Sequence, residues 1–189
     1  MAQAQTFSDT QLKRILHWCS TRRHPTRDRT IVLTSFYAGL RAKEIAALKV
    51  GDVYDDQGAV RDQFTLTAAQ AKGGKSRTVW INRRLRRQLV EYRDAVLGSR
   101  STAEPLFVSQ KGGAFSANTM TQLFLVIYKS AGFANASSHS GRRSFITNLA
   151  AKSVSVRVLA ELAGHSSIQT TQRYIDVNPK QMSEAVELL

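Results

Sequence analysis

Apolar positions recur at helical spacing along most of this chain. Leu12, Ile15 and Leu16 form a first stripe. The residues before them read as a helix start, with Ser8 as N-cap, Gln11 at the capping-box position, and Phe7 and Leu12 placed to close a hydrophobic staple. A second helix is predicted from Pro25-Thr26 through Ile31, Val32 and Phe36 to Gly39, and a short third from Ala42 to Leu48. The texture then changes. Between Asp52 and Ile81 lie the β-prone Phe64-Thr65-Leu66-Thr67, the turn Lys72-Gly73-Gly74-Lys75 and the strand-like Thr78-Val79-Trp80-Ile81, which predict a small antiparallel sheet of two or three strands. Helical spacing resumes after Asn82, with Leu85, Leu89, Tyr92 and Val96 on one face and Arg83, Arg84, Arg86, Arg87 and Arg93 on the other. Such a charge run reads first as a solvated face and second as a DNA-contacting one. Leu106-Phe107-Val108 predicts a short strand before the Lys111-Gly112-Gly113 turn, and Met120, Leu123, Phe124, Ile127 and Ala131 mark an amphipathic helix. Further helices are predicted over Gly141 to Ala151, from an N-cap at Ser155 to Gly164, from Ser167 to Ile175, and from Pro179 to the end. The fold class is therefore mainly α with a small antiparallel β-sheet.

With 189 residues, 42% of them hydrophobic, the chain has enough apolar material for one packed domain. A single cysteine, Cys19, excludes an intrachain disulfide framework and a zinc ribbon, and suits a reducing cytoplasm. No apolar run approaches the ~18 residues of a membrane span, and the first residues lack the basic and apolar stretches of a signal peptide. The expectation is a soluble cytoplasmic protein with no membrane partner. Charge narrows this further: 27 Lys and Arg against 14 Asp and Glu give a net charge of +13. Such an excess points to a polyanion, with nucleic acid ahead of an anionic membrane surface or a ribosomal setting.

Three segments carry the chemistry. They are Ala38-Gly39-Leu40-Arg41-Ala42-Lys43-Glu44-Ile45, His139-Ser140-Gly141-Arg142-Arg143-Ser144-Phe145, and Leu162-Ala163-Gly164-His165-Ser166-Ser167-Ile168-Gln169-Thr170-Thr171-Gln172-Arg173-Tyr174. In this order they resemble the catalytic domain of the tyrosine recombinases, or phage-type integrases, over nearly the whole chain. The resemblance implies that family's catalytic-domain fold and a site-specific DNA recombinase that cuts and rejoins strands through a 3′-phosphotyrosine. Ionising a phenol of ordinary pKa near ~10 at pH 7 costs roughly 4 kcal/mol, which clustered cations around a phosphate partly offset. By the resemblance, Tyr174 is the nucleophile. Arg41 and Arg142 grip the non-bridging oxygens, and His139 and His165 hydrogen-bond the phosphate, with His139 the favoured base in proton transfer. Lys72 protonates the leaving 5′-oxygen, with Lys75 as the alternative. Lys43, Lys75, Arg77 and Arg143 are further candidates for DNA contact, and Glu44 reads as a structural partner for nearby cations.

One phosphodiester replaces another in this chemistry, so no cofactor is implied. No G-x-x-x-x-G-K-[ST] loop is present, and neither histidine has a second metal ligand at suitable spacing. The sequence departs from the family pattern at Arg143, where a second His is common, and at Gly141, where Leu is common. Ser8 already opens the catalytic domain. The expected organisation is thus a single domain over 1–189, with 1–7 as a tail, no separate N-terminal core-binding domain, and a C-terminal helix over 179–189 that docks on itself or on a neighbour. This expected organisation resembles the compact form of the fimbrial-switch invertases and small phage integrases, the alternative being a trimmed chain. The expected partner is double-stranded DNA, bound as a homotetramer assembled from free monomers. Two other functions compete: type IB topoisomerase-like relaxation, and a non-catalytic DNA-binding regulator with a vestigial pocket.

Overall fold

The computed structural model describes residues 4–71, 74–174, 182–183 and 186–187. The chain opens with α1 (Asp9–Ser20), whose N-terminus carries the reciprocal Ser8–Gln11 capping box, while Phe7 and Leu12 are both buried. Pro25 starts α2 (Pro25–Ala38), and Gly39 ends it in the left-handed conformation. This helix is buried almost all round. Ile31, Val32, Leu33 and Phe36 share the interior with Thr30, Thr34 and Ser35, so α2 is the central rod rather than an amphipathic surface helix. The buried hydroxyls remain satisfied: Thr30 donates to the Thr26 carbonyl at 2.7 Å and Thr34 to the Thr30 carbonyl at 2.8 Å.

Two short helices follow, α3 (Ala42–Ala46) and α4 (Val50–Val53). The sheet has two strands, β1 (Gln63–Leu66) and β2 (Arg77–Trp80), paired antiparallel with Phe64 opposite Val79 and Leu66 opposite Arg77. Phe64, Leu66 and Val79 turn inward, the period-2 pattern of a half-buried sheet. Asn82 caps α5 (Arg83–Tyr92) through the Leu85 N–H, and a π-helical turn, Arg93–Leu97, extends it. That extra residue in the turn rotates Val96 out to solvent, so the predicted apolar face ends at Tyr92 and Leu97. Of the arginine-rich face, Arg83, Arg84 and Arg87 are exposed, whereas Arg86 is tied to the Val60 and Arg61 carbonyls and to Asp62.

The strand predicted at Leu106–Val108 does not form. Leu106 and Phe107 are buried in an irregular segment held by the isolated bridges Lys49↔Pro105 and Val108↔Ala114. The chain closes with α6 (Ala117–Ser130), α7 (Ser140–Ala150), α8 (Val156–Ala163) and α9 (Ile168–Gln172). Helix α2 packs against α1, α5 and α7, and α3 packs against α6. The helix expected over 179–189 lies mostly outside the described residues. Among the described residues no helix is long and apolar enough to cross a membrane.

Candidate active site

Three turns meet beside the C-terminus of α2. Gly39 closes that helix with φ 66°, and Arg41 follows as the N-cap of α3. A side chain at 39 is excluded by that φ and by Phe145 of α7, whose ring comes within 2.6 Å of the position a β-carbon would take. Arg142 reaches in from α7. Its Nη1 donates to the Gly39 carbonyl at 2.7 Å and its Nη2 to the Ala163 carbonyl, and only 4% of the residue is exposed. Helix α8 ends at Gly164, with φ 62°, and that turn delivers His165.

Glu44 organises the cations. It is fully buried, and its Oε1 accepts from Arg41 Nη1 at 2.9 Å. Its Oε2 accepts from the Arg41 backbone N–H at 2.9 Å and from Arg77 Nη2 at 2.8 Å. Burial alone would raise the Glu44 carboxyl, but the Arg77 guanidinium, the Arg41 N–H, Arg41 and Arg142 outweigh it and hold the group below the ordinary carboxylate value. Arg142 is pushed down first by burial and then by Arg41. It keeps its charge, since a guanidinium stays protonated in proteins.

Arg41, Glu44, Lys75, Arg77, Gly164 and His165 line a cleft of about 560 Å³. His165 is half-buried and shares a hydrogen bond between its Nδ1 and Thr171 Oγ1, 2.8 Å apart. Burial, then Arg142, Arg41 and Arg77, lowers its pKa to about 4, so the ring is neutral at pH 7. The Tyr174 ring stacks on it with centroids 5.9 Å apart and planes 22° from parallel. Arg143 Cζ lies 5.7 Å from the Tyr174 ring centroid while its Nη1 donates to the Ala4 carbonyl at 2.9 Å. Arg142 is within electrostatic reach of Tyr174.

The low His165 value has a consequence for stability. An unfolded histidine, ordinarily near 6.5, takes a proton that the folded one refuses until about pH 4. The unfolded state therefore binds more protons across that window, and stability falls as pH drops from about 6.5 to about 4. Thermal unfolding across this range should show the decline, and His165→Gln should flatten it.

Not every candidate lines the cleft, and Arg142 and Tyr174 are themselves outside its lining. His139 stands exposed at the N-cap of α7 and is not among the residues lining the cleft. Lys43 is exposed on α3, away from the lining, whereas Lys75 is exposed along it. Lys72 lies outside the described residues. The Arg77 side chain, a candidate DNA contact by its place in the sequence, is only 7% exposed and ion-paired to Glu44. The i,i+3 spacing of Arg41 and Glu44 signals their pairing, but no local pattern links Glu44 to Arg77. Among the described residues no group of three or more His, Cys, Asp or Glu gathers as metal ligands would. A second hollow of about 580 Å³, beside Arg27, Phe115 and the start of α6, contains none of the candidates.

Residues 5–181 match the family model described as the phage integrase family. The chain is 31% identical to tyrosine recombinase XerC of Pelobacter propionicus, over 85% of this chain and 51% of that protein. The crystal structure of XerA recombinase superposes with a TM-score of 0.76 at 25% identity, covering 99% of this chain and 66% of that one. XerH site-specific recombinase, solved as a post-cleavage complex with a palindromic difH substrate, gives a TM-score of 0.70 at 22% identity, over 96% of this chain and 51% of that one. The chain spans about half the length of the curated relatives it matches.

Proposed function

Since this chain belongs to the phage integrase family, we propose that it cleaves and rejoins DNA strands as a tyrosine-type site-specific recombinase. The observation that carries this reading is the grouping of Tyr174, His165 and Arg142 beside the Glu44-anchored Arg41. In the proposed reaction the Tyr174 oxygen attacks phosphorus. A 3′-phosphotyrosine bond forms as the bond to the 5′-oxygen breaks, and Lys72 or Lys75 supplies the proton that the leaving oxygen takes up. Arg41 and Arg142 neutralise the non-bridging oxygens. His165, neutral at pH 7, acts as a hydrogen-bonding group to the phosphate, and His139 assists in moving the tyrosine proton. In the second step a 5′-hydroxyl from another strand attacks the phosphotyrosine and frees the phenol, so bond types are conserved from start to finish.

Double-stranded DNA is the partner this reading requires. The net charge of +13 suits it, and XerH was solved on a DNA substrate. The reading also takes a homotetramer on paired sites as the working assembly. A pool of random sequences lets the protein select its own target. Nicked duplexes with a randomised core are incubated with the chain at low salt, where phosphate contacts count most, and covalently trapped DNA is sequenced. The expected result is protein linked to the 3′ side of the break within a narrow set of sequences. Failure to trap DNA contradicts the reading, and trapping without sequence preference, together with relaxation of any supercoiled plasmid, indicates topoisomerase-like activity instead.

A further inference from the structure

We propose that Arg77 is a positioning residue of this cleft, a strut that sets Arg41 and His165 relative to one another; the inference rests on the recombinase reading. Its side chain leaves the start of β2, crosses Gly164 and ends on Glu44. A β-carbon at 164 would lie 2.4 Å from Arg77 Cδ and 2.6 Å from its Nε, so the stem fills the space over the turn that delivers His165. At the far end Nη2 donates to Glu44 Oε2 at 2.8 Å, and the other carboxylate oxygen holds Arg41. One side chain thus spans from the His165 turn to the carboxylate that orients Arg41. Lys75, two residues before Arg77, brings the hairpin edge to the same cleft.

The arrangement is unfavourable as plain packing. Arg77 Nε and Nη1 are buried without a hydrogen-bond partner, and an apolar group in place of the whole Arg77–Glu44 pair would avoid the cost of those unpaired donors. What the guanidinium secures is geometry: a fixed spacing between a charge that binds phosphate and a ring that stacks on the proposed nucleophile. Because those donors are sealed from solvent, Arg77 works through Glu44 and Gly164 rather than by touching DNA.

Two substitutions test this in the full chain. Arg77→Met keeps much of the stem and loses the fork, while Arg77→Lys keeps the positive charge. On the duplex selected from the randomised pool, Arg77→Met is expected to slow single-turnover adduct formation about 100-fold, the cost of a misplacement near 1 Å, with DNA affinity unchanged. Arg77→Lys should recover only part of that rate. A matching loss of affinity would make Arg77 a DNA contact, and an unchanged rate would remove its role; either result overturns the strut. A second measurement needs no DNA. The charged and polar groups facing His165 are Arg142, Arg41, Arg77, the Thr171 hydroxyl and the Tyr174 ring, with Arg143 beyond that ring. In NMR titration the His165 midpoint near 4 should rise toward 6.5 in Arg77→Lys, where the charge persists and the strut does not. An unmoved midpoint overturns the proposal whether or not Tyr174 is the nucleophile, and adduct formation by Tyr174→Phe would overturn the nucleophile assignment alone. Should Arg77→Met fail to fold, Arg77→Lys carries both measurements.

Discussion

If Tyr174 is the nucleophile as proposed, replacing it with Phe is expected to eliminate the covalent DNA adduct, a fall of about 10⁴-fold or more, on the scale seen when a catalytic nucleophile is deleted. The change removes one oxygen and little else. The ring that stacks on His165 and lies beside Arg143 is retained, so the cleft keeps its shape. DNA affinity and the unfolding midpoint should therefore stay at wild-type values. Denaturing gels of the trapped duplex, read beside a binding curve, separate the two effects. An adduct that persists in Tyr174→Phe assigns the nucleophile elsewhere, and three of the other four tyrosines are poorly placed to supply it. Tyr54, Tyr92 and Tyr128 are buried, and burial pushes all three phenols up, Tyr92 to about 12.

The second large effect is on stability. Glu44→Gln should cost about 3–5 kcal/mol, the range for breaking a buried charge pair from one side. The amide keeps the volume and loses the negative charge, leaving Arg41 and Arg77 facing each other with Arg142 close by. Denaturant unfolding at pH 7 measures it, and a loss below about 1 kcal/mol would mean that solvent already screens these cations. The pH dependence has a definite sign. The folded carboxyl is held below its ordinary value, so its contribution is complete at neutral pH and disappears only in acid, as pH falls through that lowered value.

Much of the fold was legible because its signals are local. Ser8 with Gln11, Pro25, Gly39, Asn82 and Gly164 each mark a boundary within one turn of the chain, and each sits where its capping or left-handed geometry requires. The failures are non-local. Leu106-Phe107-Val108 is apolar because it is buried, not because it pairs along a strand; its ladder is replaced by single contacts such as the Leu106 N–H to the Leu48 carbonyl, 2.8 Å. The π-helical turn at Arg93–Leu97 leaves the apolar spacing of the sequence intact while shifting which residues face inward. In the candidate site, Arg41, Arg142, His165 and Tyr174 stand out by motif, but the burial of Arg77 does not. Its partner is 33 residues away in sequence, and an arginine just past a glycine-lysine turn reads as a candidate DNA contact. Asp28 is likewise invisible to sequence patterning: its carboxylate is buried between Arg22 and Arg27.

The carbonyl that terminates α2 has a mechanical consequence. Gly39 accepts from Arg142 and immediately precedes the turn that sets Arg41, so both guanidiniums are footed on the same stretch of main chain. A displacement of either guanidinium therefore also strains the end of α2, a helix buried almost all round, and is not taken up by rotation about side-chain bonds alone. Under the proposed reading, the two cations keep a common footing, and a strand bound between them would have to conform to their spacing.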